Sequence, residues 1–94
     1  MIESRFDNVW EALENSPAEA ANMRARSDFM IAIQNAVDSW CVTQSEAAKR
    51  LGVTQPRMND LLRGRIDKFS LDALMNLAAA AGLTIDWRIS RAAA

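Results

Sequence analysis

The 94-residue sequence has no histidine and only one cysteine, and these two shortages remove much of the chemistry a small protein can perform. Without histidine there is no commonest general base, no usual partner for a serine or cysteine nucleophile, and no commonest transition-metal ligand. No nucleophile and base stand at a matching spacing either, so the chain reads as a non-enzyme with no cofactor or metal site. Cys41 cannot form an internal disulfide. It lies between Trp40 and Val42 at the end of an apolar-patterned stretch, where it reads as a small core residue. Long hydrophobic runs are missing too. A run such as Leu77 to Ala81, which no other exceeds, is far too short to cross a bilayer, and Glu3 and Arg5 interrupt any secretory segment, so a cytoplasmic protein with no membrane partner is expected. Glycine and proline are scarce, at three and two residues, so each reads as punctuation.

Positive charge is not in excess, since 11 basic residues face 12 acidic ones for a formal net charge of −1. Its distribution is uneven. Residues 1–42 carry seven acidic and three basic groups, residues 43–68 carry three acidic and six basic, and residues 69–94 carry two of each. The middle segment therefore stands at +3 beside a first segment at −4, and a polyanion approaching within a Debye length meets the local charge, not the net one.

That basic segment holds the most informative stretch, Thr43 to Gly64. Thr43 and Glu46 form a T-x-x-E capping box, which starts a helix at Gln44. Leu51 ends this helix, and Gly52 follows where a tight turn needs a backbone conformation that a Cβ resists. Thr54 caps a second helix, Pro56 falls in its first turn where a missing N–H costs nothing, and Gly64 stops it. Ala47, Leu51, Val53, Met58 and Leu61 point inward, and Ala48 is small enough to let the two helices approach. Thr54, Gln55, Arg57, Asn59, Asp60 and Arg63 remain outside, a set suited to base edges and phosphates. A helical hairpin with a solvated face would share the capping box. It would not require the glycine, the small residue and the apolar positions to agree at once.

From Gln44 to Gly64 the chain resembles the Cro and lambda-repressor type of helix-turn-helix domain, the XRE family. With Ala-Arg-Ser-Asp-Phe-Met-Ile-Ala-Ile upstream and Leu-Arg-Gly-Arg-Ile-Asp-Lys-Phe-Ser-Leu-Asp-Ala-Leu downstream, it is similar to a small single-domain branch that contains many HigA-type antitoxins. The resemblance implies a sequence-specific transcriptional repressor that binds double-stranded DNA. By position, Gln44 corresponds to a residue holding a phosphate, and Thr54, Gln55, Pro56, Arg57 and Asp60 fall where the family reads bases. Pro56 departs from the polar residue common there and offers an apolar contact to a thymine methyl instead. Asn59 on the recognition helix, and Arg63, Arg65 and Lys68 just beyond it, are placed for the phosphate backbone. The antitoxin branch further implies autoregulation of a toxin-antitoxin operon and a small basic ribonuclease toxin as partner, for which the acidic first third is suited. A stand-alone phage or metabolic repressor is the close alternative, and a protein-interaction adaptor that does not bind DNA is a third.

Upstream, Ile2, Phe6, Val9 and Leu13, with Trp10 adjoining, predict a short amphipathic helix over about Arg5–Asn15, either folded on its own domain or docking a partner. Ser16, Pro17 and Glu19 then start a long helix running to about Trp40. Met23, Met30, Ile33, Val37 and Trp40 form its apolar face, and Arg26 interrupts it. Downstream, Ser70 starts a helix with Leu71, Leu74, Met75 and Ala78 as its buried stripe, stopped by Gly82. Finally, Leu83, Ile85, Trp87 and Ile89 alternate with Thr84, Asp86, Arg88 and Ser90, a period-two pattern that predicts a strand, with a frayed tail as the alternative. A lone strand needs a mate, and the simplest is its own copy across a two-fold axis.

The expected architecture is thus mostly α: a five-helix lambda-repressor-like domain with one C-terminal β-strand paired across a homodimer. Residues 1–94 form a single domain, with an amphipathic arm at 1–15, a helical DNA-binding core at 16–82 that carries the helix-turn-helix at 44–64, and a dimerising strand at 83–90. The homodimer would address an inverted-repeat operator.

Overall fold

The computed structural model describes residues 16–91, and the expected helix over about Arg5–Asn15 lies outside them. Four α-helices and one 3-10 turn occupy the described residues: α1 (Pro17–Ser39), α2 (Gln44–Leu51), α3 (Gln55–Leu62), the turn Ile66–Lys68, and α4 (Leu71–Ala80). Each α-helix begins on a hydroxyl cap three residues upstream of the amide it accepts from. Ser16 Oγ accepts from Glu19 N at 3.3 Å, Thr43 Oγ1 from Glu46 N at 3.1 Å, Thr54 Oγ1 from Arg57 N at 3.3 Å, and Ser70 Oγ from Ala73 N at 3.1 Å. Such a cap contributes about 1 kcal/mol by satisfying a donor the helix cannot. At Thr43 only half of the expected box forms. The Glu46 carboxylate lies 3.7 Å from Arg50 Nε, one turn along α2.

The core is a single cluster. Met30, Ile33 and Val37 of α1, Ala47, Ala48 and Leu51 of α2, Met58 and Leu61 of α3, Phe69, and Leu74, Leu77 and Ala78 of α4 are all buried. Spacings of three and four put each set on one helix face, and α1 packs most extensively on α4. Helices of eight residues such as α2 and α3 do not persist alone in water. Their stability comes from this shared burial. Met23, expected on the buried face, is only half-buried, and Val53, Leu71 and Met75 likewise sit at the core's edge.

Three sequence expectations are corrected. The strand at 83–90 is absent: no strand occurs among the described residues, and residues 83–91 run as irregular chain. The alternation is real, but helices answer it. Leu83 and Ile85 pack against the core, Trp87 sets its ring 6.3 Å from that of Phe29, and Ile89 is almost fully exposed. A period-two pattern says only that one side is covered, and an extended segment laid over α1 and α4 satisfies it without a ladder of strand hydrogen bonds. The five-helix expectation becomes four α-helices among the described residues. Cys41, expected in the core, is exposed, with φ +55 at the corner between α1 and α2.

Candidate nucleic-acid interface

The corner between α2 and α3 sets the surface. Gly52 closes α2 at φ 73, ψ 33, and its N–H reaches the carbonyls of Ala48 and Lys49. A Cβ built there would meet nothing within 4 Å, so the requirement for glycine is conformational and not steric. Val53 N then donates to Ala48 O at 3.0 Å, which folds the chain sharply before Thr54 starts α3. Beneath α3, Met58 is 0 % and Leu61 1 % exposed, so the opposite face is fixed outward.

That outward face carries most of the residues expected on it. Thr54, Gln55, Pro56 and Asn59 are exposed, while Arg57 and Asp60 are half-buried. Thr54 serves as N-cap and Pro56 lies in the first turn. Asp60 faces Arg65, with Oδ1 3.7 Å from Nε, and the Arg65 amide donates to the Asp60 carbonyl at 3.0 Å. The acid on this face therefore has its own cation, which lowers its repulsion toward a phosphate. Arg63, Arg65 and Lys68 are exposed just beyond α3. Gln44, at the start of α2, is exposed and lines an open groove of about 510 Å³ together with Asp38, Cys41 and Leu62, so the beginning of α2 and the end of α3 share one surface. Leu83, Ile85, Trp87 and Ile89 belong to the tail and line no part of this groove.

Arg57 is not free. Its Nη1 donates to the carbonyl of Lys68 at 2.8 Å, and its Cζ stands 4.1 Å from the centroid of the buried Phe69 ring. A guanidinium over an aromatic face at this distance contributes about 0.5–2 kcal/mol.

Two polar side chains of α1, Gln34 and the Arg26 that interrupts its apolar face, bond to backbone carbonyls of α3 and of the turn that follows it. Gln34 Nε2 donates to the Leu61 carbonyl at 2.9 Å and so satisfies one of the last acceptors of α3. Arg26 Nη1 reaches the carbonyls of Ile66 at 3.3 Å and Phe69 at 3.4 Å, while its Nε is buried without a partner. In the sequence, the only trace of this role is a charged residue one turn from Met23 in an otherwise apolar stripe.

Among the described residues, no group of three or more His, Cys, Asp and Glu could hold a metal ion, and no helix is long and apolar enough to cross a membrane. A family model described as a helix-turn-helix domain matches residues 12–90. No curated protein matches the chain.

Proposed function

The chain belongs to this helix-turn-helix domain family, and from that membership we propose that it is a sequence-specific DNA-binding transcriptional repressor of the XRE type. One observation carries the reading. The short helix α3 is capped at Thr54, buried through Met58 and Leu61, and turned so that a polar row faces outward from the segment bearing a local charge of +3. Buried support fixes the helix, and the exposed row of amide, hydroxyl and charged groups matches what a major groove offers.

In this reading, Thr54, Gln55, Pro56 and Asp60 meet base edges, with Arg57 in the same turn. Gln44, Asn59, Arg63, Arg65 and Lys68 meet phosphates and set the register. The protein acts as a homodimer whose two α3 helices enter successive major grooves about 34 Å apart, so its operator is an inverted repeat. Residues 16–82 are the DNA-binding core of one domain spanning 1–94. In the cytoplasm it acts as an antitoxin, repressing its own operon and neutralising a small basic ribonuclease toxin. The net charge of −4 over residues 1–42 supports such a partner by complementarity. An adjacent small basic reading frame supports the antitoxin role, and its absence refers the same repressor to a phage or metabolic operon.

The test is selection from random duplexes at low salt, followed by titration of affinity against salt. Three or four cationic contacts per subunit give a slope of log affinity on log salt near about −5 to −7 for the dimer. A slope near zero, or no duplex selected while a protein partner is bound, would refute the assignment of this surface.

A further inference from the structure

The segment joining α3 to α4 is gripped by two arginines that come from different helices. Its carbonyls at Ile66, Lys68 and Phe69 all accept guanidinium donors: Arg26 of α1 holds the first and third, and Arg57 of α3 holds the second. These contacts join residues 40, 43 and 11 positions apart in sequence. The Phe69 ring, buried under Arg57, anchors the same segment in the core. The backbone's own bonds here are all short-range, with Arg65 N on Asp60 O at 3.0 Å, Ile66 N on Gly64 O at 2.8 Å, Lys68 N on Arg65 O at 3.0 Å and Phe69 N on Ile66 O at 3.3 Å, so the arginines supply the ties from this turn to α1 and to the start of α3. The side chains of Arg65 and Lys68 nevertheless remain exposed. Because Arg57 lies in the first turn of α3, its bond to Lys68 O brings Lys68 back beside the start of that helix.

We propose that Arg57 and Arg26 are positioning residues for DNA binding: they clamp the 65–69 turn so that Arg65 and Lys68 are presented to phosphate beside the start of α3, and Arg57 does not read a base. The inference rests on the DNA-binding reading above. The fork geometry favours it, since Nη1 is already committed to a carbonyl and the guanidinium face to a ring, so a two-pronged contact with a base that used Nη1 would cost the carbonyl bond. Arg26 acts from α1, through the two carbonyls that flank in sequence the one Arg57 holds.

The experiment compares wild type, Arg57→Lys, Arg57→Met, Arg26→Lys and Arg26→Met. In the free protein, amide exchange at Lys68 and Phe69 should speed up roughly tenfold or more in each variant, the scale of losing a hydrogen bond to a charged group, while Ile33 in α1 keeps its wild-type rate. On DNA, affinity should fall by a similar factor for every sequence alike, leaving base preference unchanged at each position, and the Arg26 and Arg57 variants should agree. Loss of preference at a single base pair in the Arg57 variants alone would overturn the proposal and make Arg57 a base reader. Wild-type exchange at Lys68 and Phe69 in the variants would overturn it too. If wild type selects no duplex, the DNA reading falls, whereas the exchange data still decide whether the clamp exists. The lysine variants guard against misfolding, because they keep the charge and lose only the planar fork.

Discussion

Met58→Ala is the sharpest perturbation of the surface that does not touch it. Met58 is 0 % exposed and sits in the middle of an eight-residue helix whose other buried residue is Leu61. Truncating a buried methionine to alanine removes its transfer free energy and leaves a cavity, at a cost of about 2–5 kcal/mol. A chain of this size has a total stability on the order of 5–14 kcal/mol, so the loss is a large share of it. At about 4–8 °C per kcal/mol for a small domain, the midpoint of thermal unfolding should fall by roughly 8–40 °C. The assay is circular dichroism at the helix band, with Asn59→Ala as control: that neighbour is exposed, and its substitution should stay within about 0.5 kcal/mol of wild type. A shift below about 3 °C for Met58→Ala, or equal shifts for the two variants, would refute the argument that burial of this one face holds α3 in place.

Thr54→Ala should cost about 1 kcal/mol in denaturant unfolding, because the cap on Arg57 N is lost. Adding a hydroxyl back with Thr54→Ser should restore most of it. Gly52→Ala should cost about 1–2 kcal/mol from the left-handed backbone alone, since nothing crowds the new methyl; Gly52→Asn should cost less, and equal losses would contradict a conformational origin. In the tail, Ile85→Ala should lower stability measurably while Ile89→Ala should leave it unchanged, because Ile85 packs on the core and Ile89 is 89 % exposed. The reverse order in urea titrations would show that the tail lies on the helices differently.

Everything read correctly from the sequence was local or periodic. The caps at Ser16, Thr43, Thr54 and Ser70 are bonds spanning three residues, so hydroxyl and amide are brought together by any helix that starts there. The stop at Gly52 is a property of one residue's backbone, and the helix faces follow from the 3.6-residue period. Tertiary structure decided the rest. Alternation at 83–90 marked one side for burial but could not say whether a strand or a pair of helices would cover it, and α1 and α4 did. Cys41 sits in a corner whose geometry exposes it, despite apolar neighbours in the chain. Leu77 and Phe69 are buried by elements that neighbour them only in space. Arg57 was legible as an outward residue of a recognition helix. That it folds onto Phe69 and Lys68 depended on where the chain returns eleven residues later, and Arg26 meets the same turn from some forty residues away. A charged side chain with a long flexible stem goes to whichever acceptors the packed helices leave within reach, and only the packing says which those are.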